Sequence, residues 1–528
     1  MTRATTRPDI LVVLADDLGF SDIGCYGSEI DTPNLDRLGR TGTRFTQFYN
    51  SPRCSPSRAS LLTGQHPHRV GVGILTGDER PDGYPGNLSD DCVTAPEALR
   101  SAGYGTYMSG KWHLAAVMDK PNGTWPTRRG FDRFYGTIDG AGSYYTPTTL
   151  TSGEESAEPG PGFFYTDAIT DNAVRFVTDH DRDRHDDPLF LYLSYTAPHW
   201  PLHASEEDIA RYHGRFDAGW DRLREQRLER LVAEGVIDPS CDLTDRDPEV
   251  PAWDDTGHHD WETRRMETYA AQITRMDTGI GRVLDTLERL GRLDNTLVLF
   301  LSDNGGCAEE FGTAPGQIDR HPTMPEHTSA GAPVRYGNDP GVVPGPEDTF
   351  ASYGRSWANL SNAPFREYKH WVHEGGIATP FIVHWPAGLG SPGALRTMPR
   401  QLVDILPTLL DVAEAHYPDA APPLPGTSLL PLLRGASDLT PRTLFWEHEG
   451  NAGVRRDRWK LVRKYGQDWE LYDMTTDRTE TRDLAATRPD LVGDIAARYE
   501  RWADEVGVIP RERIEAFYRR RDQEAAAG

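Results

Sequence analysis

The sequence predicts an α/β protein, with a mostly parallel sheet covered by helices on both faces and a smaller C-terminal α+β subdomain. The prediction rests on near-continuous apolar runs, on helical patterns between them, and on a change of character near the C-terminus. Runs that are apolar over their whole length fit strands buried on both faces. Five such runs are rich in β-branched or aromatic residues: 9–17 (DILVVLADD), 104–113 (YGTYMSGKWH), 188–199 (PLFLYLSYTAPH), 296–306 (TLVLFLSDNGG) and 378–386 (ATPFIVHWP).

Helical patterns alternate with these runs. Segment 94–103 begins at a threonine and ends at a glycine, and segment 262–291 is long, amphipathic and closed by Gly291. This alternation predicts helices on both faces of one sheet. We interpret the charged, helical segment 205–262 as an insertion. Segment 307–362 is rich in Gly, Pro and His and too long for a plain connection, so we expect a loop near the functional site, either folded or mobile.

The character of the chain changes after about residue 438. Segment 453–477 alternates polar and apolar positions around a Tyr-Gly pair, which indicates an antiparallel hairpin. We therefore predict a large domain over residues 1–438 and a C-terminal subdomain with an antiparallel sheet over residues 439–528.

Composition narrows the possible functions. The 528 residues include 56 Lys and Arg against 81 Asp and Glu, and the net charge of −25 disfavours nucleic acid and anionic membranes as partners. A small anionic substrate remains compatible with this charge if local cations bind it. No apolar run approaches the roughly 20 residues of a membrane span. The first apolar run lasts only about six residues, short of the ~7–15 of a signal peptide core, so we expect a cytoplasmic protein.

The five cysteines are scattered, odd in number and without CxxC spacing. This pattern argues against a disulfide framework and against a structural zinc site built from cysteines.

Two predicted strands end in adjacent oxygen-bearing side chains, Asp16 with Asp17 and Asp303 with Asn304. In open α/β sheets, ligands gather at the carboxyl ends of the strands. Carboxylate and amide oxygens suit Ca²⁺ or Mg²⁺ better than zinc. Either pair alone would more commonly cap a strand or form a turn. At the ends of two equivalent buried strands, the two pairs together favour a metal site.

Two further segments carry basic side chains. Lys111 and His113 are two residues apart, which on an extended segment places both side chains on one face. An ammonium group beside an imidazole suits anion binding and proton transfer, although a surface lysine and a packed histidine are the simpler alternative. His199 follows another buried strand, and His203 nearby could serve instead. Periodicity does not choose between these two histidines.

Cys54 lies at or just before a predicted helix, because Pro56 suits a first turn and Gly64 suits the helix end. The exposed N–H groups of a helix N-terminus favour negative charge, and Arg58 adds a cation one turn on. Such a position favours a thiolate and also binds a tetrahedral anion. Alternatives are a small buried apolar residue, or a thiolate nucleophile or redox thiol. Both leave the oxygen-rich metal site unused, because hard Ca²⁺ has little affinity for thiolate.

The segment CSPSRASLLTG (54–64) resembles the signature of the type I sulfatases, the formylglycine-dependent arylsulfatase family of the alkaline phosphatase superfamily. That signature is C-x-P-x-R followed by LTG. Other segments have counterparts in the same order along nearly the whole chain: LVVLADDLGFSDIGCYG, GYGTYMSGKWHL, PHWP, LSDNGG, FREYKHWVHEGG and LYDM. The resemblance implies an alkaline-phosphatase-like fold, with a large mixed, mostly parallel sheet flanked by helices, and a sulfatase catalytic domain over residues 1–438.

The resemblance also implies a modified cysteine and a metal. A maturation enzyme, the formylglycine-generating enzyme, would convert Cys54 to Cα-formylglycine, whose hydrated aldehyde is both an oxygen nucleophile and an oxygen ligand. One Ca²⁺ would be held by Asp16, Asp17, Asp303, Asn304 and residue 54; from the residues alone, Mg²⁺ remains an alternative. This oxidation removes the mismatch between sulfur and a hard cation.

The same resemblance implies roles for the basic residues. Arg58 would stabilise the hydrate, and Lys111 and Lys369 would bind sulfate oxygens. His199 and Lys369 would protonate the departing alkoxide or phenoxide. His113 would take a proton from the second hydroxyl, so that sulfate is expelled and the aldehyde regenerated.

The resemblance implies an enzyme that hydrolyses small aryl or alkyl sulfates to a phenol or alcohol and inorganic sulfate. A phosphonate monoester hydrolase or phosphodiesterase of the same superfamily is the first alternative, because it can share the formylglycine site. A binding homologue that has lost catalysis is disfavoured, since every position that the mechanism needs is filled.

Overall fold

The computed structural model describes residues 7–314, 316–436 and 440–527. The strands in chain order are β1 (Asp9–Asp16), β2 (Thr43–Phe45), β3 (Phe48–Tyr49), β4 (Gly105–Gly110), β5 (Arg133–Thr137), β6 (Leu150–Ser152), β7 (Glu155–Ser156), β8 (Leu189–Pro198), β9 (Thr296–Ser302), β10 (Arg335–Tyr336), β11 (Thr349–Phe350), β12 (Phe381–His384), β13 (Ala394–Arg396), β14 (Arg400–Gln401), β15 (Leu444–His448), β16 (Asn451–Arg456), β17 (Trp459–Arg463) and β18 (Glu470–Asp473).

The α-helices in the same residues are α1 (Pro33–Thr41), α2 (Cys54–Thr63), α3 (Ala95–Ser101), α4 (Tyr165–Asp183), α5 (Glu206–Ala210), α6 (Gly219–Ala233), α7 (His259–Arg289), α8 (Gly354–Ser361), α9 (Glu374–Ile377), α10 (Ile405–Ala413), α11 (Leu430–Leu433), α12 (Pro489–Val506) and α13 (Arg511–Ala527).

One ten-stranded sheet forms the centre of the molecule, in the order β13-β2-β12-β9-β1-β8-β4-β5-β6-β7. Its middle strands β9, β1, β8, β4 and β5 are parallel to one another, while β12 is antiparallel to both of its neighbours. Strands β1, β8 and β9 are buried along their whole length, as their continuous apolar sequences predict. The large mixed, mostly parallel sheet is therefore confirmed.

Helices cover both faces of this sheet. Alternate residues of each strand point to opposite sides, so a strand that is apolar throughout places apolar side chains on both faces. Leu11 and Val13 of β1 pack into a core that contains residues of α4 and α7. Ile10 and Val12 pack into a second core with residues of α2, α3 and α10. The predicted helix over 94–103 is α3, where Thr94 forms a capping box with Glu97.

A separate antiparallel sheet in the order β15-β16-β17-β18 forms the C-terminal part. The predicted hairpin is β17 and β18, whose connection contains Tyr465 and Gly466. Ala452 and Leu461 of this sheet pack against Ile495 of α12. The predicted domain boundary at 438/439 lies outside the described residues, and the domain division stays a prediction.

Both predicted insertions are folded. Segment 205–262 contains α5 and α6, and segment 307–362 contains β10, β11 and α8. Phe311 and Phe350 of the second insertion pack with Trp200, which follows β8. Within the described residues, each helix is too short or too polar to cross a membrane.

Candidate active site

The two oxygen-rich strand ends meet because β1 and β9 are adjacent and parallel, with Ala15 opposite Ser302. The Asp17 N–H donates to Asp303 Oδ1 at 3.2 Å, and Asn304 Nδ2 donates to Asp17 Oδ1 at 2.7 Å. Asp17 has a φ of 64°, in the left-handed region that is uncommon for a side-chain-bearing residue. The side chains of both pairs are buried, as a ligand-binding edge of the sheet requires.

Three carboxylates of this edge each have a close cationic partner: Asp16 with Lys111 (Oδ2–Nζ 2.6 Å), Asp17 with Lys369 (Oδ2–Nζ 2.8 Å) and Asp303 with Arg58 (Oδ2–Nη2 2.8 Å). Arg58 Nη2 also lies 3.7 Å from Asp16 Oδ1. All six side chains are almost fully buried. Buried charges persist only when they are paired or bind a further ion. With all six groups ionised their charges sum to zero, although burial favours the protonated form of Asp16 until a cation binds.

The oxygen atoms of this edge fit a hard divalent cation. Asp16 Oδ1 and Asn304 Oδ1 are buried, and neither has a hydrogen-bond partner among the described residues. Burial raises the pKa of Asp16 to about 8; Lys111 opposes this shift, and the neighbouring Asp303 carboxylate adds to it. Possible ligand atoms of Asp16, Cys54 and Asp303 lie within 4.8 Å of one another. A site with this donor set suits Ca²⁺ or Mg²⁺.

Cys54 is the first residue of α2, as the sequence predicts. Arg53 before it is extended, and the helix ends at Gly64, whose N–H still donates to the Ser60 carbonyl and whose φ of 64° turns the chain out of the helix. The side chain of Cys54 is almost fully buried, with a relative exposure of 3% for the residue. The thiol therefore lies at a helix N-terminus beside two carboxylates, an unfavourable place for sulfur to act as a ligand of a hard cation.

Arg58 connects several strand ends below the cysteine. Its Nη1 donates to the Lys111 carbonyl at 2.9 Å and to Ser194 Oγ at 2.6 Å, while Nε and Nη2 bind Asp303. This fixes the middle of β8 and the residues that follow β4 and β9 relative to α2. The guanidinium fork suits such a task because its donors have a rigid, planar arrangement.

His199 forms a pair with Lys369. His199 Nδ1 lies 2.7 Å from the Trp200 carbonyl, so this nitrogen carries the proton, and Nε2 lies 3.2 Å from Lys369 Nζ. Burial and the Lys369 ammonium lower the pKa of His199 well below its usual value. Burial opposes protonation of Lys369, but Asp17 and further neighbouring groups, Glu309 among them, together outweigh it and raise the pKa of the ammonium well above normal. Lys369 is thus the proton carrier of the pair.

The structure separates the two candidate histidines that follow β8. His203 Nε2 lies 2.7 Å from the Thr349 carbonyl, and the Tyr144 N–H contacts its Nδ1 at 3.3 Å. His203 is therefore held within the fold, whereas His199 lines the cavity beside Cys54.

His113 lines the same cavity, but by a different backbone geometry from the one the sequence predicts. Strand β4 ends at Gly110, and His113 has a φ of 54° instead of an extended backbone. Its Nδ1 is buried and without a hydrogen-bond partner in the described part of the chain. Burial, together with Lys111 and Arg58, lowers the pKa of His113 well below its usual value, so the ring is a neutral base.

The cavity above Cys54 has a volume of about 330 Å³. Sequence reasoning missed several of its walls. Arg53 forms an ion pair with Glu309 (2.9 Å), whose other oxygen accepts from Trp200 Nε1 at 2.8 Å. Tyr518 of α13 also lines the cavity. Trp200 lies within the PHWP segment and Glu309 lies three residues after LSDNGG, which was an available signal, but nothing near Tyr518 in the sequence indicates a role at the site.

The fold and the site define a hydrolase of esters of a tetrahedral oxyanion, and comparison with known proteins specifies the family. The family described as Sulfatase matches residues 8–415, and the one described as N-sulphoglucosamine sulphohydrolase, C-terminal, matches residues 366–490. The chain belongs to the sulfatase family. It is a type I sulfatase, an enzyme that hydrolyses sulfate esters.

Individual relatives agree with this assignment. An arylsulfatase of Klebsiella aerogenes is 34% identical over 429 residues, covering 77% of this chain and 87% of the relative. An uncharacterized sulfatase of Schizosaccharomyces pombe is 34% identical over 548 residues, covering 95% of this chain and 94% of the relative. The solved structure of Ps i-CgsB superposes with a TM-score of 0.68 at 25% identity, covering 94% of this chain and 93% of that one.

Proposed function

We propose that this sulfatase hydrolyses sulfate monoesters of small phenols or alcohols, with residue 54 in the formylglycine form and with one bound Ca²⁺. The observation that carries the proposal is the position of Cys54. It begins α2, its Sγ lies within 4.8 Å of carboxylate oxygens of Asp16 and Asp303, and it opens on the cavity that His113 and Lys369 line.

The chemistry of the donor set supports conversion of the cysteine. A thiol among hard oxygen ligands is poorly matched to Ca²⁺, and an oxygen at the same position would complete the set with Asp16, Asp17, Asp303 and Asn304. Formylglycine would supply an oxygen nucleophile, and Ca²⁺ would supply positive charge to stabilise the sulfuryl group. Because Cys54 is buried, the maturation enzyme would have to act on this segment before the chain folds.

The residues of the chain then have separate tasks. The ammonium groups of Lys111 and Lys369 would contact the sulfate oxygens, and Arg58 would hold the surrounding segments so that these groups stay in place. Negative charge builds on the bridging ester oxygen as the bond breaks, and Lys369 Nζ donates a proton there while His199 Nε2 orients it. His113, neutral and without a partner at Nδ1, accepts a proton on the other side of the site.

The size of the cavity supports a small leaving group. A volume of about 330 Å³ is at the lower end of ligand pockets, with room for a sulfate group and about one ring. Trp200 and Tyr518 offer aromatic surfaces to that ring. The similarity to an arylsulfatase points in the same direction. The cytoplasmic location stays a prediction from the sequence.

The nucleophile is tested by mass spectrometry and kinetics on protein produced with a formylglycine-generating enzyme. The peptide containing residue 54 should be lighter by about 18 Da, the difference between –CH₂SH and –CHO. Cys54→Ala should lose nearly all turnover of p-nitrophenyl sulfate, whereas Cys241→Ala, a half-buried cysteine outside the cavity, should keep it. Active protein that carries only the thiol would contradict the proposal.

The substrate class is tested on the same preparation. The ratio of kcat/KM for p-nitrophenyl sulfate to that for a phenyl phosphonate ester should favour the sulfate. A clear preference for the phosphonate ester would instead support the phosphonate monoester hydrolase alternative. Aryl, alkyl and sugar sulfates compared at equal concentration would then define the leaving group.

The metal is tested by thermal unfolding. Removing divalent ions with a chelator should lower Tm and abolish turnover, and Ca²⁺ should restore both better than Mg²⁺. Asp303→Ala should remove the Ca²⁺-dependent shift in Tm. Full activity after exhaustive chelation would count against an exchangeable metal.

A further inference from the structure

A second group of metal-binding side chains lies outside the catalytic cavity. His448 ends β15, Glu449 follows it in the turn to β16, and His370 directly follows Lys369 in the chain. One possible ligand atom from each residue lies within 4.8 Å of those of the other two. We propose that His370, His448 and Glu449 bind one Zn²⁺ ion, which joins the C-terminal sheet to the loop that carries Lys369.

The burial of His448 points to a ligand. The residue is 1% exposed, and within the described residues neither Nδ1 nor Nε2 has a partner at normal hydrogen-bond geometry, although the Gly73 backbone approaches the ring. Burying unpaired polar groups is unfavourable, so a core histidine normally finds at least one partner. The Gly73 carbonyl lies close enough to the ring to favour its protonated form. A backbone carbonyl near one ring nitrogen is a common support for a histidine that binds metal through the other.

Both imidazoles are in the protonation state that binds metals. Burial lowers the pKa of His370 to about 3 and that of His448 well below its usual value. Protons therefore do not compete with a metal near neutral pH. Two arginines near the cluster would repel a metal cation, but each forms an ion pair that offsets its charge. Arg53 pairs with Glu309, and Arg511 pairs with the carboxylate of Glu449 at 2.7 Å.

The geometry of the cluster is constrained by the fold. The rings of His370 and His448 have centroids 5.1 Å apart and planes at 82°. His370 and Glu449 have φ values of 89° and 51°, a left-handed backbone that each residue adopts only because its surroundings impose it. The ion pair from Arg511 holds one oxygen of Glu449, and Asn451 Nδ2 lies 3.4 Å from His370 Nε2. Such outer contacts orient ligands around a metal.

The donor set selects the metal. Two imidazoles and one carboxylate suit Zn²⁺, which takes three protein ligands and a water, whereas Ca²⁺ and Mg²⁺ prefer oxygen alone. Zn–N bonds of roughly 2.0–2.1 Å require ligand atoms well inside the 4.8 Å within which these atoms lie. The loop of His370 and the turn of Glu449 are the segments that would move.

A metal bound at this cluster would connect separate segments of the chain. The His370 N–H donates to the Pro52 carbonyl at 2.7 Å, two residues before Cys54. An ion bound here would therefore connect the turn after β15 with the segments that precede α2 and follow Lys369. We expect zinc to raise the Tm of the whole chain through this connection.

The test measures zinc in a Cys54→Ala background saturated with Ca²⁺, which removes the active-site thiol and needs no sulfatase activity. Equilibrium dialysis with ZnCl₂ should give one tightly bound zinc per chain and a higher Tm. The variants His448→Gln and His370→Gln should each lose that zinc and the Tm shift. His213→Gln, which alters an exposed side chain, should keep both.

Cobalt substitution identifies the ligands by their absorption. Co²⁺ bound by two imidazoles and a carboxylate should show d–d bands without a thiolate-to-cobalt charge-transfer band, and His370→Gln should remove the d–d bands. A thiolate band would place the metal at a cysteine and overturn the proposal. So would the absence of bound zinc in the parent protein, or unchanged zinc in His370→Gln, whose partly exposed side chain can be altered without emptying the core.

Discussion

A methyl group at Gly140 tests the proposed role of His113 without deleting any functional atom. A Cβ at this position would lie 2.2 Å from Cε1, 2.3 Å from Nε2 and 2.5 Å from Nδ1 of the His113 ring. Carbon atoms in contact normally stay about 3.5–4.0 Å apart, so the ring has to retreat by more than ~1 Å. Gly140 itself does not have a left-handed backbone, and alanine is therefore tolerated by the main chain.

The expected loss follows from this displacement. A misplacement of about 1 Å at a reacting group costs on the order of 100-fold in rate. That is about 2.7 kcal/mol of transition-state stabilisation, at roughly 1.36 kcal/mol for each factor of ten. In Gly140→Ala, kcat for p-nitrophenyl sulfate should fall by this factor while Tm changes little. Gly123→Ala is the matched control, because a Cβ there meets no atom within 4 Å.

Two results would refute this reasoning. Gly140→Ala with the kcat of the parent enzyme would show that the position of the His113 ring does not matter to the rate. The double variant Gly140→Ala/His113→Ala should be no slower than His113→Ala alone, because both changes act on one group. Additive losses would mean that the methyl group acts elsewhere in the cavity.

Three further predictions concern stability. Arg58→Met should destabilise the chain by about 3–5 kcal/mol in denaturant unfolding, because it leaves the buried carboxylate of Asp303 without its partner; unchanged stability would contradict this. Lys460→Met should cost a similar ~3–5 kcal/mol, since its buried ammonium joins two buried carboxylates at 2.9 and 2.7 Å, and a loss confined to α13 would contradict that expectation. Burial lowers the pKa of His203 in the folded chain to about 4. Between about pH 6.5 and 4 the imidazole of His203 is therefore protonated in the unfolded chain but neutral in the folded one. The free energy of unfolding is consequently highest above this window and falls as the pH drops through it. The difference in unfolding free energy between pH 7 and pH 5 should therefore shrink by about 2 kcal/mol in His203→Gln, and an unchanged difference would disprove a neutral native His203.

Local sequence was sufficient for those parts of the site that lie where a strand or helix begins or ends. Asp16 and Asp303 are far apart in the chain, but each follows a strand that is buried on both faces, and parallel strands bring such ends to one edge. The position of Cys54 was also predictable from local sequence, because a proline and a glycine mark the two limits of α2. The start and end of a strand or helix can be predicted from the sequence because a few neighbouring residues determine them.

Other parts depend on contacts that no local pattern contains. His199 and His203 follow the same strand, and only the Thr349 carbonyl, which comes from the second insertion, shows that His203 is a structural residue. Tyr518 reaches the cavity because Ile514 of α13 packs with Ile74 and Tyr84. The same limit applies to His370 and His448, whose approach requires the C-terminal sheet to pack on the catalytic part.

The charges of the site explain how an enzyme with a net charge of −25 can bind an anion. With Asp16 ionised, each of the three cations at the sheet edge is matched by a carboxylate, so the side chains alone give no net attraction for a sulfate ester. Asp16 Oδ1 and Asn304 Oδ1 have no hydrogen-bond partner in the described part of the chain, and they mark where a cation would bind. A divalent cation bound there would make the edge net positive, and low polarity around it would strengthen the effect. Substrate affinity would then depend on the metal more than on any single lysine, although the lysines determine where the sulfate oxygens lie.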